Sequence, residues 1–266
     1  MKFLNIFFEI IVHNLYFFLL KKKYFIIFFF NRIFLVDKKI NFSVLKYRNL
    51  YDFITIKEIF MTESYSLRHL RRYREICFYF QSILKNLSTP LILDIGSNIG
   101  ASTEYFNMNY TKAKIVSLEP NINNFNLLKE NTKVENHKNC FNQALACEEK
   151  FVKLDTSSLD PRASKLNYGL NGDTHCLSVN DILKNYEEKK FTPFIIKIDV
   201  EGAESDIFSK NTEWIDKFKI IIIEPHDWLF PGMPIKNFLT NISKKNRDFL
   251  ILNENILSIR NDQIKT

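Results

Sequence analysis

Leu91-Ile92-Leu93-Asp94-Ile95-Gly96-Ser97-Asn98-Ile99-Gly100 is the stretch on which the reading of the fold turns. A short apolar run ends on an acid, and two glycines follow. The run suits a buried strand. The chain must then turn sharply into a helix. Gly96 can take backbone angles that side chains forbid, and it lets the main chain come close to a ligand. Gly100 relieves crowding where the helix packs back on the strand. The helix start offers free N–H groups, and Ser102 and Thr103 add hydroxyls in its first turn.

Downstream, short apolar runs alternate with helical patterns, which signals a parallel sheet with covering helices. The runs are residues 91–94, 115–119, 140–145, 194–199 and 220–224. A last pair, 249–252 and 256–259, is split by Asn253-Glu254-Asn255 and reads as a terminal hairpin. The expected fold is α/β and Rossmann-like: a mostly parallel seven-stranded sheet with a terminal antiparallel hairpin and helices on both faces. Residues between the third and fourth runs do not fit a single crossover. Such a long insertion usually carries function.

The loop pattern is Asp-x-Gly-x-Asn-x-Gly, not the G-x-G-x-x-G that packs a pyrophosphate against the turn. An acid at the strand end repels a pyrophosphate and suits a cation, such as the α-ammonium of a methionyl group. Glu119 ends the second run, where an acid can accept hydrogen bonds from ribose hydroxyls, and Pro120 breaks the strand. Asp94, Gly96, Asn98, Gly100, Glu119 and Pro120 are therefore the candidate cofactor residues. The structural alternative is a tight turn with a chance acid downstream.

Residues 91–227 resemble the FkbM family of methyltransferases. The pieces that carry the likeness are 94–100, Ser117-Leu118-Glu119-Pro120, Gln143-Ala144-Leu145, 177–183, the block Lys197-Ile198-Asp199-Val200-Glu201-Gly202-Ala203-Glu204 and 223–232. Ser97 stands where the family has Ala, and Val179-Asn180 where it has Leu-Asp. The resemblance implies a class I methyltransferase fold with S-adenosylmethionine as cofactor. It implies O-methylation, often of a sugar hydroxyl, and adds Gln143, Ala144 and Asp199 to the cofactor side. It does not reach residues 1–64. The expected division is an N-terminal apolar, basic, helical extension over 1–64 and the methyltransferase domain over 65–266.

Methyl transfer from a sulfonium is an in-line displacement, so alignment is the enzyme's main task. A hydroxyl acceptor must also lose a proton. Acids and a histidine cluster at two strand ends: Asp199, Glu201 and Glu204 after the fourth run, Glu224, His226 and Asp227 after the fifth. His226 or Asp199 is the expected general base, and Glu201 an orienting or acceptor-binding group. Asp199 can equally touch the cofactor, and Glu204 can simply favour a helix N-terminus. Asp199, Glu201, Glu224, His226 and Asp227 also carry the hard donors of a divalent-cation site, but metal-free action is the expectation. Trp228, ahead of Pro231-Gly232, either walls the acceptor pocket or anchors a loop. No Asn-Pro-Pro-Tyr-like segment follows the fourth run, which argues against methylation of an exocyclic amine.

The 266 residues allow one sizeable α/β domain plus an appendage. Net charge is +7, unevenly spread: residues 1–90 hold 15 Lys/Arg against 6 Asp/Glu, and the rest hold 22 against 24. The first third therefore suits an anionic partner. Cys77, Cys140, Cys147 and Cys176 have no C-x-x-C or zinc spacing and read as reduced cytosolic thiols. Residues 3–20 are strongly apolar, but Asn5, Glu9 and His13 form one polar stripe on a helix, and Lys21, Lys22 and Lys23 follow. That pattern favours packing on the domain, or peripheral contact through residues 1–36 with the inner face of a membrane, over a span or a signal peptide. Residues 24–36 read as a second short helix, 37–64 as a connector and 65–86 as a helix with Arg68, Arg71, Arg72 and Arg74 on its flank. The expected acceptor is a small molecule or glycan, with nucleic acid disfavoured. Three rivals remain: an NAD-dependent oxidoreductase, which Asp94 opposes; an RNA 2′-hydroxyl methyltransferase, which the basic first third invites; and a membrane-associated binding protein with a degenerate fold.

Overall fold

The computed structural model describes residues 2–19, 22–157, 164–167, 172–187, 190–227 and 234–262. Lys21, Trp228, Pro231 and Gly232 lie outside them. The chain opens with helix α1 (Lys2–Phe18), strands β1 (Tyr24–Phe29), β2 (Arg32–Asp37) and β3 (Phe42–Lys46), and helix α2 (Leu50–Phe60). The three strands form an antiparallel sheet, β1-β2-β3. Residues 24–36 are therefore a hairpin and not the second helix expected of them. Its aromatic and β-branched side chains suit a pleated surface. Phe30, with φ 53°, turns the chain at Phe30-Asn31. Tyr24, Ile26, Ile33, Leu35 and Leu45 all point inward. The connector expected over 37–64 holds β3 and α2, whose start is capped by the Asn49 side chain accepting from Asp52 N–H.

The extension is thus helix, sheet and helix, and it shares one core with the rest of the chain. Ile10, Tyr24, Leu35 and Phe60 pack in the same cluster as Ile92, Phe106, Ile195 and Ile222. Residues 67–69 make a single 3-10 turn, so the helix expected over 65–86 starts only at Tyr73, as α3 (Tyr73–Lys85).

The remaining elements come in order: β4 (Thr89–Ile95), α4 (Ala101–Asn109), β5 (Lys114–Leu118), α5 (Ile122–Asn131), β6 (Cys140–Phe141), β7 (Ala144–Leu145), β8 (Lys150–Asp155), β9 (Lys165–Asn167), β10 (Thr174–Leu177), α6 (Val179–Glu187), β11 (Phe191–Ile198), α7 (Glu204–Ile207), β12 (Ile220–Ile223), α8 (Pro234–Ile242), β13 (Arg247–Leu252) and β14 (Asn255–Arg260). The main sheet runs β13-β14-β12-β11-β4-β5-β6. Neighbours from β6 to β12 pair parallel, and β14 pairs antiparallel with both β12 and β13. This is the seven-stranded sheet and terminal hairpin expected. A second apolar cluster, with Trp214, Phe218 and Phe238, covers its other face.

The run at 140–145 divides. Residues 140–141 join the main sheet, while 144–145 open a four-stranded sheet, β7-β10-β8-β9, made by the insertion. From β4 the chain moves outward to β5 and β6, then returns to the opposite side with β11 and β12. The strand order therefore reverses between β4 and β11, where open α/β sheets form a ligand crevice beyond their carboxyl ends.

Candidate functional site

Asp94 and Lys197 face each other in register on β4 and β11 at that reversal. Asp94 is completely buried. Its Oδ2 accepts hydrogen bonds from Ser102 Oγ at 2.8 Å and Thr103 Oγ1 at 2.6 Å, while Oδ1 lies 3.4 Å from Lys197 Nζ. The carboxylate therefore ties strand, lysine and the first turn of α4 together beneath the loop. It does not stand on the cavity wall, where direct contact with a ligand ammonium would require it. Lys197 Nζ also donates to Gly96 O at 2.7 Å and sits 3.3 Å from Asp199 Oδ2. Burial opposes its charge, but Tyr65, Asp199, Asp94 and Glu224 outweigh that and hold it above the ordinary lysine range.

The loop above is built for close approach. Gly96 has φ 73°, and a Cβ there would lie 1.7 Å from Asp199 O. Gly100 has φ 86°, and a Cβ would press on Leu128 at 2.7 Å. Asn98, at φ 48°, turns its N–H to Glu119 Oε2 at 2.8 Å. Glu119 Oε1 accepts from Asn121 N–H at 2.9 Å. With two lone pairs on each oxygen, the carboxylate can still accept from a further donor. Burial pushes the Glu119 carboxyl up to about 7, against the pull of those N–H groups. Pro120, Gln143 and Ala144 continue the same wall. Gln143 Nε2 is held 2.6 Å from His175 Nδ1, so the insertion orients it.

Across the crevice, Asp199 follows β11 and Glu224 follows β12. His226 is 2% exposed. Its Nδ1 lies 2.5 Å from Glu204 Oε1, and its Nε2 lies 3.7 Å from both Asp199 Oδ1 and Glu201 Oε2. Glu201 is held left-handed at φ 52°, a costly conformation for a side-chain-bearing residue. Burial alone would discharge His226, but its bond to Glu204 and the charges of Asp199, Glu204 and Glu201 raise it to about 9. The surrounding carboxylates thus favour the charged form of the ring. Glu224 is pushed up to about 8, first by the Asp199 charge and then by burial. Asp199, Glu224 and His226 each offer a donor atom within 4.8 Å of the others, close enough to hold a divalent cation.

These walls enclose one cavity of about 880 Å³. The sequence placed Asp199, Glu201 and His226 together, and the structure does the same. It also brings in Lys197, a lone charge in an otherwise apolar strand, which is a readable sign of a buried partner. Glu58, Tyr65 and Asn255 reach the cavity from α2, the turn after it and the terminal hairpin. Nothing local in the sequence marks them. Asn98 Oδ1 and Asn255 Oδ1, buried on the wall, have no hydrogen-bond partner among the described residues.

The fold and this crevice define a class I S-adenosylmethionine-dependent methyltransferase. The model of the FkbM methyltransferase domain matches residues 94–250, and the chain belongs to that family. It is 25% identical over 165 residues to the hexuronic acid methyltransferase AglP of Haloferax volcanii, covering 59% of this chain and 67% of that one. Among solved structures it is similar to an O-methyltransferase from Bacillus cereus in complex with S-adenosylhomocysteine, at 12% identity and a TM-score of 0.37, over 80% of this chain and 92% of that one. It is also similar to the precorrin-6y C5,15-methyltransferase of Geobacter metallireducens, at 10% identity and a TM-score of 0.37, over 74% and 93%.

The residues present fit the cofactor. The Glu119 carboxylate can accept a further donor, and Asn98 Oδ1 is a buried acceptor on the wall with no partner among the described residues.

Proposed function

We propose that the protein methylates a hydroxyl group of a neutral carbohydrate. The reading rests on one observation: the Asp199–Glu224–His226 cluster and the Glu119 loop open on the same cavity. Glu119 would hold the ribose, with Pro120, Gln143 and Ala144 beside it. The N–H groups of Gly96, Ser97, Asn98 and Gly100 are already engaged, so the Asn98 side-chain oxygen would meet the methionyl ammonium. Asp94 acts from beneath, fixing the loop through Ser102, Thr103 and Lys197. Bound S-adenosylmethionine supplies an electrophilic methyl on a sulfonium.

The chain's own part is to align the acceptor oxygen and remove its proton. As the oxygen–methyl bond forms, the carbon–sulfur bond breaks, its electron pair stays on sulfur, and the hydroxyl proton passes to the Asp199–Glu224 pair. Two carboxylates this close cannot both ionise readily, so the pair holds a proton at neutral pH and gains basicity when that proton leaves. Lys197 and charged His226 fix Asp199 from two sides, and Glu201 orients the acceptor.

We further propose 65–266 as the catalytic domain, with 1–64 completing its acceptor side through Thr55, Glu58 and Thr62. Six acids reach the cavity: Glu58, Glu119, Asp199, Glu201, Glu224 and Glu254. Among the described residues, the cations there are Lys197 and His226, both engaged. The hydroxyls of a neutral sugar find acceptors in such a wall. The four cysteines are free, which suits a reducing cytoplasm.

The test is incubation of the protein with methyl-labelled S-adenosylmethionine and a panel of neutral oligosaccharides, uronic acids and RNA. Label should enter neutral sugars as a methyl ether. Label in uronic acids alone would overturn the acceptor class, and label in RNA would overturn the carbohydrate reading.

A further inference from the structure

Helix α1 is inside out. Its polar residues turn toward the protein: Glu9 pairs with Lys57, His13 Nε2 lies 2.8 Å from Tyr24 O, and Asn14 bonds both the N–H and the C=O of Ile26. Its apolar stripe, Phe8, Ile11, Leu15 and Phe18, faces out, and Phe18 is 68% exposed. A helix that only packed on a domain would present the opposite faces.

The sheet beside it repeats the anomaly. Its inward side chains are buried, and the register aligns the outward ones in three rows. These are Phe25, Val36 and Phe42; Ile27, Phe34 and Val44; and Phe29, Arg32 and Lys46. Ile27, Phe29 and Phe42 are at least half exposed. An antiparallel sheet with one wet face normally alternates apolar and polar residues. Here both faces are apolar. Phe18 and Phe25 touch, with ring centroids 5.4 Å apart, so the helix stripe and the sheet face form one surface. Phe30, 82% exposed, extends it at the hairpin tip.

The surroundings are basic. Residues 21–48 hold eight Lys/Arg against a single acid, Asp37, which is buried. Arg32, Lys38 and Lys39 are exposed beside the apolar rows. Among the described residues, no helix is long and apolar enough to cross a membrane.

We propose that this surface docks on an anionic lipid bilayer, with the aromatic rows entering the headgroup boundary and the basic rim meeting the phosphates. Apolar area plus attraction to anionic lipid is the combination that holds a protein on a membrane without spanning it. A second copy of the chain would gain nothing from the basic rim, which would face its own like charge.

The test is flotation of the full chain with vesicles of phosphatidylcholine alone, or with about one third phosphatidylglycerol. The protein should rise with the anionic vesicles at low salt and fall away in high salt or from neutral vesicles. Ile27→Asp with Phe29→Asp should leave the protein in the aqueous layer while its S-adenosylhomocysteine thermal shift persists. Lys38→Glu with Lys39→Glu, which leaves the apolar rows intact, should weaken flotation at least several-fold. A chain that stays out of anionic vesicles at low salt would overturn the proposal. So would a stable dimer in sedimentation velocity that the Ile27/Phe29 variant dissociates.

Discussion

Glu119 carries its charge against burial, and this makes cofactor binding sensitive to pH. Ribose hydroxyls donate, so they favour the ionised carboxylate. Its carboxyl sits at about 7 in the empty protein. Affinity for S-adenosylhomocysteine should therefore tighten roughly tenfold from pH 6 to pH 8. Calorimetry at several pH values would show it, and a flat profile would remove Glu119 from the ribose contact. Glu119→Gln puts an NH₂ against a backbone N–H and should weaken binding by about 10-fold or more, given roughly 1.5–3 kcal/mol for hydrogen bonds to a charged group. Glu224 makes a kinetic counterpart. With its carboxyl pushed up to about 8, kcat/KM should climb as pH passes that value. Glu224→Gln should lower the rate and abolish the climb; an unchanged profile would clear the Asp199–Glu224 pair of proton transfer. Glu119 was legible because an acid at a strand end has few other uses. Asp94 was legible as important but not in its direction. The hydroxyls of Ser102 and Thr103, readable as extra donors to a ligand, turn back to bind Asp94 itself.

At the scale of elements, periodicity was a good guide wherever a strand was bounded by turn residues and buried on both faces. That holds for β4, β5, β11 and β12. It failed over 24–36 for a physical reason: with both faces of the hairpin apolar, no polar alternation remains to betray a two-residue period. The turn at Phe30-Asn31 also lacks glycine. The polar stripe of α1 was visible, but its direction depends on a neighbour absent from any local window: the open edge of β1. Asn14 closes that edge by mimicking a strand partner, donating to Ile26 O at 2.7 Å and accepting from Ile26 N at 2.9 Å. Asn14→Leu strips both bonds. It should cost about 1–3 kcal/mol and speed amide exchange at Ile26 well beyond that in β12. Equal exchange at Ile26 in both proteins would mean that the helix does not hold this edge.

Across the whole molecule, the strand order follows from the alternation of runs and helices, but the closure of the cavity does not. Glu58 and Asn255 lie nearly two hundred residues apart, and only the completed fold sets them on one wall. The same long-range assembly concentrates acid in one crevice, which gives the empty protein a predictable response to pH. Glu119, Glu224 and His226 have folded values raised to about 7, 8 and 9. A raised group binds its proton more tightly when folded. Its stabilising contribution is therefore complete below its unfolded value, 4.5 for these carboxyls and 6.5 for the histidine, and is lost as pH climbs through the folded one. All three losses run in the same direction between pH 6 and pH 9. Carboxylates with lowered values do not offset them: Glu75, held at about 2 chiefly by its bond to Arg72, is ionised throughout that window. The melting temperature of the empty protein should fall by more than about 5 °C from pH 6 to pH 9, since each kcal/mol moves a chain of this size by roughly 2–4 °C. Bound S-adenosylhomocysteine should shrink that fall, because its ribose hydroxyls stabilise ionised Glu119. Scanning calorimetry with and without ligand separates the contributions. A melting point that held steady or rose with pH would mean that the crevice does not retain these protons, and that its acids meet more water or more cations than the folded chain provides.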